Sequence, residues 1–187
     1  MNITWDAQEY SDDFSFVYHY GEDVLKLLDI RPGDTIIDLG CGNGALTMRL
    51  EQAGAHAIGI DASKEMLSIA CHDYPALEFK QADALDFTVS KPADALFSNA
   101  VFHWIDKEKQ PLLLRQVNRA LKLHGQFVCE FGGKGCAAMV HDSLKKSFEK
   151  RGLDYAFSFY FPSIGEYAGM LELSLIHISE PTRPISI

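Results

Sequence analysis

The chain alternates two hydrophobic patterns. Short, densely apolar runs give way to longer stretches in which apolar residues return every three or four positions. Thr35 to Leu39, His56 to Ile60, Leu77 to Lys80, Ala93 to Ser98 and Gln126 to Phe131 read as strands. Ala45 to Ala53, with Leu46, Arg49 and Leu50 in helical spacing, reads as a helix. Ser63 is placed to cap a second helix through Met66, Leu67, Ile69 and Ala70. Pro111 suits the first turn of a third, which runs to about Lys122 with Leu113, Leu114, Val117 and Leu121 inward. Ala137 to Lys150, stopped near Gly152, and Ile164 to Glu172 complete the helices. Upstream, Val24, Leu25, Leu27 and Leu28 read as a helix face, followed by the turn Arg31-Pro32-Gly33-Asp34. Strand and helix in alternation predict an α/β fold, with an open parallel sheet wound on both faces.

Composition narrows the function more than the fold. The 187 residues suit one domain, and 47% hydrophobic with 23% charged residues is ordinary for a globular core. The net charge of −9 argues against gripping a phosphate backbone, so no nucleic-acid partner is expected. No run is long and apolar enough to span a bilayer, and the N-terminus lacks a basic, apolar leader. A cytoplasmic setting without a membrane partner is the expectation. Cys41, Cys71, Cys129 and Cys136 form no CxxC pair, and the histidines show no ligand spacing, so no metal is expected.

The candidate chemistry lies where the first strand ends, at Asp38-Leu39-Gly40-Cys41-Gly42-Asn43-Gly44. Glycines there let the backbone turn sharply and approach a ligand closely. The next helix directs free N–H groups to the same place. The second strand ends in Asp61, where a carboxylate can accept ribose hydroxyls. Gly40, Gly42 and Ala45 also satisfy the dinucleotide fingerprint. Asp38 argues against a pyrophosphate, which it would repel, and for a cationic ligand.

Asp38 to Gly44 resembles the first motif of class I S-adenosylmethionine-dependent methyltransferases. Gly59-Ile60-Asp61-Ala62-Ser63 resembles the second acidic motif of that family, Gln81-Ala82-Asp83-Ala84 its adenine site, and Phe97 to Trp104 its fourth-strand motif. Trp5-Asp6, the Phe97 to Trp104 octet, Tyr160-Phe161-Pro162-Ser163 and Glu166-Tyr167 are similar to the trans-aconitate methyltransferase-like branch. The resemblance implies a Rossmann-like fold, S-adenosylmethionine as cofactor and a small-molecule methyl acceptor, such as the carboxylate trans-aconitate. It implies Asp38 facing the cationic amino-acid end, Asp61 and Ala62 at the ribose, Asp83 and Ala84 at the adenine, and Asn99 near the methionine part. Gly40, Cys41, Gly42 and Gly44 would form the loop.

His103 is the acceptor-side candidate, as a carboxylate binder or a base, and Trp104 is a pocket-wall candidate. Without an obvious base, an acceptor that is already ionised, such as a carboxylate, is favoured. Tyr10, Phe16 and Tyr18 are candidates for a lid within a helical cap over about residues 1–33. An oxidoreductase using NAD on the same scaffold, and an inactive truncated cofactor-binding fragment, are the alternatives.

Two departures stand out. Lys122-Leu123-His124-Gly125 replaces the family's Lys-Pro-Gly-Gly, placing a non-glycine at a turn that favours left-handed backbone. The family sheet also ends in two further strands, and the chain offers none after Glu172. Residues 173–187 instead resemble the translation of a transposon sequencing adapter, so the native domain is expected over residues 1–172.

Overall fold

A computed structural model describes residues 21–174. Trp5-Asp6, the lid candidates Tyr10, Phe16 and Tyr18, and all of the tail beyond Ser174 lie outside the described residues. The sheet has strands β1 (Thr35–Leu39), β2 (His56–Asp61), β3 (Glu78–Gln81), β4 (Ala93–Asn99) and β5 (Leu121–Glu130). Their order is β3-β2-β1-β4-β5 and every pairing is parallel. The helices are α1 (Ala45–Gln52), α2 (Lys64–Asp73), α3 (Gln110–Ala120), α4 (Ala138–Glu149) and α5 (Ile164–Leu173).

A central parallel strand is sealed on both faces, which is why Ile36, Ile37, Asp38 and Leu39 of β1 are all buried. Alternate residues feed two cores. Ile37, Leu39, Ile60 and Leu96 pack under α3, with Leu113, Leu114 and Val117. Ile36, Ala57, Ala95 and Phe97 pack on the other face, with Leu50 of α1 and with Val24 and Leu28. The chain leaves β1 towards β2 and β3, then returns across it to β4 and β5. That reversal opens a crevice beyond the carboxyl ends of β1 and β4, where ligands of such sheets bind.

Among the described residues the expected strands and helices are present, with three local differences. Residues 21–25 are helical, but Leu27 is 68% exposed, so the expected four-residue apolar face reduces to Val24 and Leu28 inward. The helix expected to reach Lys122 ends at Ala120, because Leu121 already pairs with Ala93. The continuous part of β5 starts at Gln126 opposite Ala95, as the strand pattern predicts. Between the two contacts the chain bulges, and His124 sits at the bulge with φ 64°. The residue expected to strain that turn does adopt the left-handed conformation. The expected boundary at Glu172 falls in the last turn of α5.

Ser63 caps α2 as expected, its Oγ accepting the Met66 N–H at 3.2 Å. Ser163 caps α5 in the same way through the Glu166 N–H, also at 3.2 Å. Helix α4 differs from the rest. None of its side chains is buried, and Met139 and Val140 stand in the open. Among the described residues, β5 has β4 as its one strand neighbour.

Candidate cofactor crevice and acceptor side

Beyond the ends of β1, β2 and β4 lies a cavity of about 260 Å³. Its wall includes Gly40, Gly42, Asp61, Ala62, Asp83, Ala84 and Asn99, all marked by the sequence motifs. The glycine loop is pinned from below. The Gly40 and Cys41 N–H groups both donate to the Ile60 carbonyl, at 2.7 and 3.1 Å. Gly40 has φ 79°, and a Cβ there would come within 2.2 Å of Val101 Cγ2, which also lines the cavity. Any side chain at this position would therefore push Val101 into the space the loop leaves open.

Asp61 ties the loop to the start of α2. Its Oδ2 accepts the Gly42 N–H and its Oδ1 the Ser63 N–H, both at 2.8 Å. Each carboxylate oxygen keeps a further lone pair for a ligand hydroxyl. Burial raises its pKa, opposed by the backbone N–H groups it accepts. Asp83 is exposed at the far rim, where its Oδ1 accepts the Leu85 N–H at 2.9 Å.

Asp38, Cys41 and Gly44 belong to the motif but not to the cavity wall. Asp38 is 2% exposed beneath the loop, and Thr47 Oγ1 of α1 donates to its Oδ2 at 2.6 Å. Burial pushes its carboxyl up to about 7. The Thr47 hydrogen bond works against that rise and the charge of Asp61 adds to it. Cys41 is buried, and its thiol is pushed far up by desolvation and by Asp38 and Asp61, so it is no nucleophile. Gly44 starts α1 in the left-handed conformation, at φ 80°. These three residues shape the loop from behind.

The acceptor side begins at the tip of β4. Ala100 takes φ 59°, with its N–H on the Glu130 carbonyl at 2.8 Å, and its own carbonyl accepts Trp104 Nε1 at 3.1 Å. Trp104 lines the cavity. His103, in the short 3₁₀ turn Phe102–Trp104, does not. The Gly132 N–H donates to His103 Nδ1 at 3.3 Å, and burial lowers its pKa to about 4. At neutral pH His103 is uncharged, so it offers no cation to a carboxylate.

The frame behind this turn joins Tyr160, Glu166 and Tyr167, which the sequence marked only as a branch resemblance, to Gln110, which it did not mark. Gln110 is fully buried, its Nε2 donating to the Phe102 and Ile105 carbonyls at 2.9 and 2.8 Å. Tyr167 of α5 donates to Gln110 Oε1 at 3.0 Å. Tyr160 donates from its N–H to the His103 carbonyl at 2.9 Å and from its hydroxyl to Glu166 at 3.0 Å. Glu166 is also paired with Lys107 at 2.6 Å. The Lys109–Asp106 pair, at 2.7 Å, lines the cavity and was also missed. Its i,i+3 spacing was the one signal available.

Among the described residues, no group of His, Cys, Asp and Glu is arranged to hold a metal ion. No helix there is long and apolar enough to cross a membrane.

Residues 36–125 match the family described as a methyltransferase domain. An uncharacterized methyltransferase of Schizosaccharomyces pombe is 33% identical over 185 residues, covering 93% of this chain and 71% of that protein. The chain belongs to the class I S-adenosylmethionine-dependent methyltransferases, and S-adenosylmethionine is its cofactor. A trans-aconitate 2-methyltransferase of Azoarcus sp. is 34% identical over 118 residues, 61% of this chain, and the match spans 47% of that enzyme's length. A methyltransferase solved with the Haloferax volcanii Trm112 methyltransferase activator shares the fold. Its TM-score is 0.72 at 21% identity, covering 92% of this chain and 77% of that one.

The crevice fits the cofactor. Among the described residues its wall carries carboxylates at Asp61, Asp83 and Asp106 against the single basic side chain of Lys109, a poor setting for a pyrophosphate and a suitable one for a cation. The NAD-dependent alternative falls away with the family assignment.

Proposed function

We propose that the chain methylates an oxygen or nitrogen of a small molecule, and that the favoured acceptor is a carboxylate. The observation that carries this is the Asp61–Gly42 tie, which holds an open glycine loop beside a carboxylate with lone pairs left for hydroxyls. In this reading Asp61 and Ala62 meet the ribose, Asp83 the adenine amino group, and the Ala84 N–H a ring nitrogen. Asn99 lies by the methionine part. Asp38 acts through the loop as a buried carboxyl whose ionised form an ammonium and sulfonium above it would favour.

A carboxylate oxygen would form the new bond to the methyl carbon while the methyl–sulfur electron pair stays on sulfur, giving a methyl ester and S-adenosylhomocysteine. No proton moves, so no base is required, and a neutral His103 is consistent with that. The work left to the chain is alignment and exclusion of water. The similarity to trans-aconitate 2-methyltransferases supports a carboxylate and makes trans-aconitate the first acceptor to try. The reading includes a cytoplasmic setting with no nucleic-acid or membrane partner.

Calorimetric titration with S-adenosylmethionine and with NAD is the test. Saturable heat with the first and none with the second is expected. A folded chain that gives no heat with S-adenosylmethionine would sink the proposal.

A further inference from the structure

We infer that the acceptor is a flat, largely apolar molecule bearing a single carboxylate, held along an aromatic row that starts at Trp104 and continues through Phe159, His103 and Phe161. This rests on the methyltransferase reading above and narrows its acceptor from carboxylates in general.

The row is continuous with the cavity because Trp104 belongs to both. Phe159 meets Trp104 edge-on, with ring centroids 4.6 Å apart at 66°. His103 lies 5.4 Å from Trp104 and 5.7 Å from Phe161. Phe159 and Phe161 stack within 2° of parallel at 5.6 Å. They are alternate residues of an extended segment, and Tyr160 between them is buried towards α5. The segment is fixed to the 3₁₀ turn by the Tyr160 N–H on the His103 carbonyl. Phe159 and Phe161 are half-buried and Trp104 is 38% exposed, so the row keeps open surface beside the cavity mouth. Such rings attract a flat apolar body through offset or edge-on contacts.

The charges on this side offer a polyanion few partners. Residues 152–174, which supply the row's phenylalanines and α5, contain no lysine or arginine. No arginine of the described residues lines the cavity. Lys107 is paired with Glu166 and Lys109 with Asp106. Lys134 is exposed, with its own N–H donating to the Pro162 carbonyl at 2.8 Å. A tricarboxylate would leave water for a surface where Lys107 and Lys109 are already paired and Lys134 stays out in solvent, and burying charge without partners is costly. One carboxylate can be served. With Nδ1 accepting the Gly132 N–H, the neutral imidazole carries its proton on Nε2, a donor with no partner among the described residues. That tautomer donates a hydrogen bond and cannot take a proton, which again selects an acceptor that arrives ionised.

The test compares 2-naphthoate with trans-aconitate by calorimetry on the chain saturated with S-adenosylhomocysteine, in the wild type and in Phe159→Ala. The expected result is 2-naphthoate binding about tenfold tighter than trans-aconitate. Phe159→Ala should weaken 2-naphthoate by roughly three- to tenfold, in line with one lost aromatic contact. The affinity for S-adenosylhomocysteine should not change, which shows that the variant is folded. Tighter binding of trans-aconitate, or a Phe159→Ala variant that binds 2-naphthoate as well as wild type, overturns the inference and leaves the methyltransferase reading intact. No heat with S-adenosylhomocysteine itself overturns both.

Discussion

The two halves of the crevice are built by different means. The cofactor half is made of backbone. Glycine N–H groups, the Ile60 carbonyl and the Asp61 carboxylate lock together over about twenty residues of chain. The acceptor half is made of side chains from distant segments. Gln110 reaches Tyr167 across 57 residues, and Gly132 meets His103 across 29. A ligand common to a whole family can be held by geometry that one contiguous motif specifies. A variable ligand is better held by side chains, which change without disturbing the loop. The three predictions that follow test whether the halves are separable in this way.

The largest effect is expected at Asp38, under the cofactor half. Its carboxyl is raised to about 7, first by burial, so between pH ~4 and ~7 the folded chain keeps a proton that the unfolded chain has released. Stability from this group is therefore greatest at low pH and falls as pH rises through that window. A shift of roughly three units corresponds to about 4 kcal/mol. Asp38→Asn removes the titration while leaving an oxygen for Thr47 to donate to. Urea denaturation of the cofactor-free chain at pH 5 and pH 8 should show the wild type losing more stability than the variant, by roughly 2.5–3 kcal/mol, because this interval crosses only the upper two units of the window. Equal losses in the two proteins would mean that Asp38 is not sealed beneath the loop. The same substitution should weaken S-adenosylmethionine binding at pH 8, where the wild-type carboxylate is charged.

The contrast between the halves also explains what could be read from the sequence. The sheet was legible because each buried parallel strand is a short apolar run, and the strand-ending motif fixed Gly40, Gly42, Asp61 and Asp83 around one cavity. What the motif could not give was depth. Asp38 is as prominent in the sequence as Asp61, yet alternation along β1 turns it to the α1 side, where Thr47 covers it. Gln110 was unreadable for another reason. A glutamine beside Pro111 looks like an exposed first-turn residue, but it is buried, held by the Phe102 and Ile105 carbonyls and by Tyr167 of α5 from far along the chain. The end of α3 was set too late because Leu121 continues the helical spacing. Its pairing with Ala93 is a tertiary contact that local pattern does not contain.

Gln110 provides the middle-sized test, on the acceptor half. Gln110→Leu keeps the apolar volume but strips the Phe102 and Ile105 carbonyls and the Tyr167 hydroxyl of a buried partner. Unsatisfied buried groups cost about 1–3 kcal/mol each, and relaxation recovers part of that, so a loss of about 3 kcal/mol is expected. For a chain of this size the thermal midpoint should fall by roughly 6–12 °C. At 15 °C, where the variant is still folded, its affinity for S-adenosylhomocysteine should stay within about twofold of wild type while 2-naphthoate binding weakens. If cofactor affinity falls as far as acceptor affinity, the halves are one unit and the contrast fails.

The smallest effect belongs to a position that serves neither half. His124 sits at the bulge leading into β5, on the edge of the sheet away from the crevice, with φ 64°. Left-handed backbone costs a residue with a Cβ about 1–2 kcal/mol, less for histidine than for most. Glycine at the same position removes that strain but gives the unfolded chain about 0.4–1 kcal/mol of extra conformational freedom. His124→Gly should therefore raise stability by under about 1 kcal/mol and the thermal midpoint by at most about 3 °C. Ala100, also left-handed at φ 59°, makes the useful counterpart, because its carbonyl fixes Trp104 at the cavity wall. Strain at His124 that shapes only the bulge predicts unchanged affinity for both ligands in His124→Gly. The same change at Ala100 should loosen Trp104 and weaken 2-naphthoate more than S-adenosylhomocysteine. A lower thermal midpoint in His124→Gly would show that the histidine makes a stabilising contact that outweighs its backbone strain.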